Sequence, residues 1–311
     1  MRSRILSFVA VLCGLSAGSA LANWQYSGGY LYDSGYGDNG SRAAISIRGG
    51  ATYAFSKMHN DAPIVFGYCV NNETGDVQDW SGSCPSGFEY ATGNLGSLDL
   101  KKMSQVNFAA GISLGWILPN RPQWRFELGW DHFSNIEYNE TPLFSGSMQL
   151  SNGMSIDGFN IGGAQSTMTT DLISVMVFYD FFKGIQKPIY TIIPYIGLGF
   201  GYADTRTEMQ FYDNTGELYG FPILKDFGAD SGIVTDFYKS TKNTNNVAGV
   251  LALGLSYGVY EGVFLDFGAR AAYLPRVKYT LSNSDGTSHL DWFSAKNLVY
   301  ANVMVGLRVE F

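Results

Sequence analysis

An imidazole and a hydroxyl are two residues apart at His132 and Ser134, and Asn135 follows directly. Side chains two residues apart in a strand point to the same face of the sheet, so these two would lie side by side. A histidine base next to a serine hydroxyl is the arrangement that nucleophilic acyl chemistry requires. The sequence therefore offers a candidate acyl hydrolase site. The competing interpretation is a histidine and a Ser-Asn pair at the end of a strand.

The start of the chain has the features of a secretory signal peptide. Arg2 and Arg4 precede an apolar run over residues 5–15, and Ala-Leu-Ala at 20–22 is a small-residue cleavage site. The apolar run is too short to span a bilayer as a helix. We expect a signal peptide over 1–22 and a mature, exported chain that begins at Asn23.

Two cysteines, Cys69 and Cys84, remain after removal of the predicted signal peptide, which contains Cys13. An even number of cysteines in an exported chain favours a disulfide, so we expect a Cys69–Cys84 bridge. The three histidines have no metal-ligand spacing with these cysteines. The sequence therefore predicts no metal site, and we expect no cofactor.

The carboxyl-terminal residues alternate between apolar and mixed polar types. One face would carry Val299, Ala301, Val303, Val305, Leu307, Val309 and Phe311. This period of two predicts a strand with one apolar face. The pattern recurs in eight segments, which lie near residues 43–55, 102–118, 123–138, 173–181, 188–202, 251–259, 263–273 and 292–311.

The connections between these segments alternate between long and short. The long ones cover about 57–100, 139–164, 206–243 and 283–290, and the short ones lie at 119–122, 183–184 and 261–262. Outer-membrane barrels have short periplasmic turns and long extracellular loops. The sequence therefore predicts an all-β protein, an eight-stranded antiparallel up-and-down transmembrane β-barrel over 43–311. Residues 23–42 are an N-terminal periplasmic segment or, alternatively, add a strand.

Composition agrees with this prediction. Charged residues make up 15% of the chain, against about a quarter in soluble domains, and aromatic residues another 15%. A soluble lipocalin-type barrel also has strands of period two, but it does not need an apolar outer face on every strand. The net charge of −7 gives no electrostatic footprint for nucleic acid.

Charged residues alternate with the apolar ones and would point into the barrel. They are Arg48, Arg125, Glu127, Asp131, Asp180, Asp266, Arg270, Arg308 and Glu310. The interior of eight strands is only wide enough for side chains to fill it. We expect an internal network of ion pairs and hydrogen bonds, and the alternative is a narrow ion path.

Several motifs carry resemblances. The terminal Phe311 behind alternating apolar residues resembles the closing strand of Gram-negative outer-membrane β-barrels. The segments 125–128, 177–181, 194–201 and 253–257 resemble the rickettsial-type major surface antigens of Anaplasma and Ehrlichia, which belong with the eight-stranded OmpA- and Opa-like barrels. That resemblance implies a surface antigen or adhesin-like protein with some porin activity.

The run from His132 to Asn135 is similar to the His-x-Ser-Asn motif of outer-membrane lipid A deacylases. That resemblance implies a base at His132, a nucleophile at Ser134 and an oxyanion donor at Asn135. A glutamate orients the histidine in that family. Here it would have to be Glu137 or Glu140, and both are closer in sequence than the family's pattern places it.

We therefore predict a non-enzymatic surface antigen or adhesin-like barrel in the bacterial outer membrane, with its loops at the cell surface. The alternatives are a lipid A acyl hydrolase and a passive diffusion porin. Expected partners are outer-membrane lipid and lipopolysaccharide, the barrel assembly machinery and an extracellular or host protein at the loops.

Overall fold

The computed structural model describes residues 42–61, 65–79, 83–94, 100–142, 144–184, 187–212, 221–224, 233–237, 239–282 and 289–311. The predicted signal peptide and all of the segment 23–42 except Arg42 lie outside these residues. No helix in the described ranges is long and apolar enough to cross a membrane.

Fifteen strands follow one another in the described part of the chain. They are β1 (Arg42–Asn60), β2 (Val65–Val70), β3 (Val77–Asp79), β4 (Glu89–Asn94), β5 (Lys102–Leu118), β6 (Arg121–Glu140), β7 (Phe144–Gln149), β8 (Ser155–Ile161), β9 (Gly163–Asp180), β10 (Ile192–Tyr212), β11 (Phe221–Leu224), β12 (Ile233–Phe237), β13 (Lys239–Tyr260), β14 (Val263–Ser282) and β15 (His289–Glu310).

Eight of these strands form one closed antiparallel barrel, in the order β1-β15-β14-β13-β10-β9-β6-β5. The predicted fold class is confirmed. The last strand closes the sheet, because β15 pairs with β14 on one side and with β1 on the other. The backbone N–H groups of Ala43 and Phe311 each donate to the other residue's carbonyl oxygen at 2.9 Å, so the chain's final residue is part of the seam.

The outer surface carries a continuous apolar band. On β13, Leu251, Leu253 and Leu255 are exposed, whereas Ala252 and Ser256 on the opposite face of the strand point into the lumen and are buried. On β10 the exposed apolar side chains extend from Ile192 to Tyr202. Eleven residues at ~3.3 Å each and a tilt of ~45° span about 25 Å, the height of the apolar band of an outer-membrane barrel.

Exposed aromatic residues mark both borders of this band. Those towards the turns are Trp116, Trp124, Phe181, Tyr190, Tyr257 and Tyr260, and those towards the loops are Tyr53, Phe55, Phe108, Tyr202 and Tyr273. Such girdles lie at the two membrane–water interfaces. The protein is therefore a barrel of the bacterial outer membrane, with its long connections at the cell surface.

The barrel continues beyond the band on the loop side, and there its polarity is reversed. The outer face becomes polar, as at Thr241 and Asn243 of β13, and the inner face becomes apolar. Buried side chains at this level are Met58, Met103, Phe133, Ile136, Met168, Met209, Leu274, Val277, Phe293, Leu298 and Tyr300. The rings of Phe133 and Tyr300 stack with centroids 4.3 Å apart. In this part of the barrel, as in a water-soluble protein, apolar side chains pack inside and polar side chains face outward.

Two of the three turns are short: β5 and β6 are joined by residues 119–120, and β13 and β14 by 261–262. The third connection, 181–191, is longer than the predicted two-residue opening at 183–184, and β10 begins at Ile192 rather than near Pro188. Lys187 of this connection is buried, because the segment folds back into the mouth of the barrel.

Gly50 provides a test of how closely the seam is packed. A Cβ at this position would overlap the carbonyl oxygen of Val303 and lie 2.8 Å from Cα of Met304 on β15. We expect Gly50→Ala to lower the free energy of unfolding by ~1–3 kcal/mol, the usual effect of overpacking. Gly249→Ala is the control, since a Cβ there meets no atom within 4 Å. Urea titration of the refolded barrel measures both variants. Equal stabilities would contradict the close approach of β1 and β15.

Candidate functional site: barrel lumen and loop layer

All nine of the predicted lumen residues lie on the inner face of the barrel. One group is centred on Asp131, which is completely buried. Its Oδ1 accepts a hydrogen bond from Nε of Arg48 at 2.8 Å, and its Oδ2 lies 2.7 Å from Nη1 of Arg270. Arg270 also donates to Ser174 Oγ at 2.6 Å. These contacts join β1, β6, β9 and β14 across the lumen.

A second group, nearer the periplasm, is centred on Arg308. This guanidinium donates to Asp266 Oδ2 at 2.9 Å and to Ser256 Oγ at 2.9 Å. It also pairs with Glu310, and its carbon lies 4.7 Å from the centre of the Phe264 ring. The planar guanidinium can satisfy several acceptors at once while stacking on an aromatic ring.

Arg125 links the second group to β6 and β9. It pairs with Glu127 and lies 3.4 Å from Oδ1 of Asp180. Its guanidinium carbon is 4.3 Å from the centre of the Phe178 ring. Except for Arg48 and Asp266, whose side chains are 13% and 16% exposed, these groups are almost fully buried, so each charge depends on its partners to replace water.

Lys187 is a member of this network that sequence reasoning missed. Its Nζ lies 2.6 Å from both Asp180 Oδ2 and Glu310 Oε1. A lysine in a turn belongs to no alternating pattern, so the sequence does not indicate that Lys187 enters the lumen. The charges of the predicted lumen residues do indicate that a cation is missing. The nine predicted residues are five acids and four arginines, so one cation is lacking. With Lys187 the count becomes five against five.

The lumen is filled at this level. A cavity of about 60 Å³ remains between the two groups, lined in part by Arg48, Arg125 and Tyr195. It has room for a few water molecules. The apolar core described above lies over it, towards the cell surface. This arrangement favours a rigid network over an ion path.

The loops contain further strands. β3, β2 and β4 form a three-stranded sheet in the first loop, and β7 and β8 form a hairpin in the second. Cys69 of β2 is joined to Cys84 by a disulfide. We refer to residues 65–94 and 144–161 together as the loop layer.

The two parts of the loop layer are bonded to each other. Gly93 of β4 forms a β-bridge with Leu150, and the N–H of Ser151 donates to the carbonyl oxygen of Thr92 at 2.8 Å. Buried apolar side chains among the described residues of this layer include Tyr68, Val70, Ala91, Met148 and Leu150. They belong to the same hydrophobic cluster as the apolar core inside the barrel. The loop layer therefore packs onto the barrel as a lid that shares its core.

The charge of the loop layer has one sign. Residues 62–100 and 141–163 contain no lysine, arginine or histidine, and their acids are Glu73, Asp76, Asp79, Glu89, Asp99 and Asp157. Of these, Glu73, Asp76, Glu89 and Asp157 are exposed. The layer thus presents an acidic surface away from the membrane.

The structure gives His132 a partner on the next strand. Its Nδ1 lies 2.8 Å from Oδ1 of Asp171 on β9, the residue directly opposite it in the sheet. This acid occupies the position that sequence analysis gave to Glu137 or Glu140. Glu140 instead accepts from the N–H of Lys101 at 3.1 Å. Asp171 was not predictable, because it depends on the register between two distant strands.

Ser134 and Asn135 lie in a bulge of β6. The hydroxyl of Ser134 donates to the carbonyl oxygen of Phe108 at 2.8 Å and accepts from the N–H of the same residue at 3.1 Å. It therefore replaces backbone bonds that the bulge interrupts. Asn135 accepts from the hydroxyl of Thr169 at 2.6 Å. In this arrangement the Ser134 hydroxyl is bonded to β5 and not to His132.

No protein-family model matches the sequence, and no curated protein matches it significantly. Among solved structures, the chain is similar to neisserial surface protein A, with 16% identity over 86% of this chain and 99% of that one and a TM-score of 0.36. It is also similar to the outer-membrane protease OmpT of Escherichia coli, with 11% identity over 87% and 97% and a TM-score of 0.41. A third is Ail, the attachment invasion locus protein of Yersinia pestis, with 10% identity over 87% and 99% and a TM-score of 0.31.

These identities and TM-scores are low, and the likenesses carry no argument about activity. They include a named protease beside named surface and attachment proteins. The resemblance to rickettsial-type surface antigens stays a prediction.

Arg308 tests the network inside the barrel. Removing one partner of a buried ion pair leaves an uncompensated charge and costs ~3–5 kcal/mol. We expect Arg308→Ala to lower the free energy of unfolding by this amount. Arg206→Ala is the control, since Arg206 forms an exposed pair with Glu208, and such pairs contribute ~0–1 kcal/mol. Urea titration in detergent micelles distinguishes them. A small loss in both variants would show that the network contributes little to stability.

Proposed function

We propose that this protein is a surface recognition barrel whose acidic loop layer binds a partner with a basic surface outside the cell. The observation that carries the proposal is the loop layer itself, a β-structured and disulfide-linked lid of uniform charge. Loops on a rigid scaffold are the usual place for binding. This is the adhesin-like or surface-antigen role expected from the sequence, with the chemistry of its partner added.

The closed lumen supports this role over transport. Ion pairs fill the periplasmic half, and apolar side chains fill the half towards the loops. A diffusion porin needs a wider barrel with a water-filled interior. A binding function would therefore lie on the external surface of the barrel.

Order in the loop layer also supports binding. The bridge at Gly93 and the disulfide at Cys69 restrict the layer before any partner arrives, which lowers the entropic cost of association. The uniform negative charge would steer a basic partner and make the association depend on salt. The barrel assembly machinery remains an expected partner for insertion into the membrane.

Adhesion of bacteria that display the full protein tests the proposal. We expect non-adhesive bacteria to attach to cultured epithelial cells when they express it. Glu73→Gln, Asp76→Asn and Asp157→Asn combined should reduce attachment severalfold, because they remove exposed charge without changing side-chain size. Soluble oligo-lysine should compete for attachment to the intact protein.

The controls are Glu208→Gln on the barrel wall and Glu261→Gln in a periplasmic turn, which should leave attachment unchanged. A second variant, Cys69→Ser with Cys84→Ser, should weaken attachment while the barrel still inserts. Attachment no greater than that of cells without the protein, or equal in the charge variant, would contradict the proposal.

A second candidate is the lipid A acyl hydrolase, and the Asp171–His132 contact is the observation that favours it. An acid that orients a histidine base is part of nucleophilic hydrolase sites. The bonding of Ser134 to the backbone of Phe108 opposes it, because that hydroxyl is engaged by both a donor and an acceptor.

Mass spectrometry of lipid A from Gram-negative cells that express the protein distinguishes these candidates. We expect the acyl chains to be unchanged, since Ser134 is bonded within the sheet. Lipid A from cells that express Ser134→Ala or Asp171→Asn is compared with lipid A from cells that express the intact protein. Loss of an acyl chain with the intact protein, but with neither variant, would make the protein an enzyme and overturn the recognition proposal as its main function.

A further inference from the structure

Four basic side chains lie in one row across four neighbouring strands. Lys57 of β1 is directly opposite Lys102 of β5 and, on its other side, opposite Lys296 of β15. Lys296 is in turn directly opposite Arg276 of β14. We call these four residues the basic row. Neighbouring strands are ~4.8 Å apart, so the row covers about 15 Å of the barrel's circumference.

Carboxylates of the described residues do not balance the charges of the basic row. Asp61 is the carboxylate that meets it, with Oδ2 at 2.6 Å from Arg276 Nη2 and Oδ1 at 3.8 Å from Lys296 Nζ. Among the described residues, Lys57 and Lys102 have no carboxylate partner, and both are exposed. Four cations against one anion leave a charge of +3. Like charges directly opposite in a sheet repel each other, so the arrangement calls for an external anion.

Asp61 is itself ionised at neutral pH. Burial opposes its ionisation, but the hydrogen bonds from Arg276 and Ser294 and the charges of Arg276 and Lys296 together outweigh burial and lower the pKa of the carboxyl below its ordinary value. It therefore offsets one of the four positive charges and leaves the other three.

Two members of the row are turned outward by local irregularities. From Leu298 to Glu310, the residues of β15 that face the lumen have even numbers. Before Leu298 an odd-numbered residue, Ala295, is buried inside, so the strand changes face at Asn297. Asn297 has a φ of +53°, and its Oδ1 accepts from the hydroxyl of Tyr273 at 2.8 Å. Without this change Lys296 would point into the apolar core.

β14 changes face at the same level. Leu274 and Val277 are both buried, and Arg276 between them lies at the outer surface with its side chain 42% exposed. Pro275 precedes it and has no N–H for the sheet. Two neighbouring strands are thus irregular where they bring cations next to Lys57.

The row lies at the border of the apolar band. Phe55, two residues before Lys57 on the same face of β1, is an exposed aromatic residue of the outer girdle. Tyr53 and Tyr273 belong to the same girdle. Aromatic girdles mark the interface, and lipid headgroups with their phosphates begin at this level.

We propose that the basic row binds the phosphate groups of a lipid headgroup in the outer leaflet, such as those of lipid A. The cations face the headgroup layer, and the exposed apolar surface of Val106, Phe108 and Phe55 below them would contact the lipid's acyl chains. The opposite side of the barrel differs. There Arg206 of β10 is paired with its own acid, Glu208, at 2.7 Å. Binding is therefore expected at β5, β1, β15 and β14.

Titration of the refolded full-length protein in detergent micelles tests this. The probes are diphosphorylated lipid A, the same lipid stripped of both phosphates, and inorganic phosphate, and native mass spectrometry counts the bound lipid. Each basic side chain near an anionic lipid surface contributes about fivefold to binding. Lys57→Gln with Lys102→Gln should therefore weaken binding of the diphosphorylated lipid about 25-fold, on the same basis. Its binding of the stripped lipid should not change.

Arg206→Gln is the matched control and should bind both lipids as the intact protein does. Altered electrophoretic mobility on heating shows that each variant is folded. Equal affinity of the intact protein for the two lipids, or full affinity in the double variant, would overturn the proposal. So would equal binding of inorganic phosphate, or tighter binding of heparin through the same lysines, since either would make the row a general anion site or a glycan site.

Discussion

Lipid cannot hydrogen-bond to the backbone, so every N–H and C=O of a spanning strand needs a partner within the protein. The chain meets this requirement by pairing the first strand of its barrel, β1, with the last, β15. Ala43 and Phe311 exchange backbone hydrogen bonds, and β15 pairs with both β1 and β14 from Phe293 to Val309. The outward position of the leucines and the inward position of the charges both depend on this closure, because it fixes which face of each strand meets lipid.

Closure also creates an interior that must be filled. Near the periplasm it is filled by charge, with Asp131 and Arg308 at the centres of two linked groups and Lys187 brought in from a turn. Towards the cell surface it is filled by rings and methionines around Phe133 and Tyr300. The apolar part continues into the loop layer, so barrel and lid share one core. Because the lumen is filled, the surfaces available for binding are external. They are the acidic loop layer and the basic row at the membrane border.

Alternation along single strands was enough to predict the architecture. The leucines of 251–255 and the charges at Asp266 and Arg308 indicated their faces directly, because a strand has a period of two. Contacts between strands were beyond that reasoning. The pairing of His132 with Asp171, and of Lys57 with Lys102 and Lys296, follows from register, which no single segment contains. Lys296 also lies beyond a change of face at Asn297, so simple alternation would place it inside the lumen.

Conductance in a planar lipid bilayer measures whether the lumen is closed, as it must be if the barrel acts through its external surface. The full-length protein, refolded and inserted, should produce no current steps under an applied voltage, because the ion-pair groups and the apolar core both block the lumen. Stable and repeated current steps that change when Arg48 or Asp131 is substituted would show that the lumen is open. They would show that the charges inside the barrel line a path for ions.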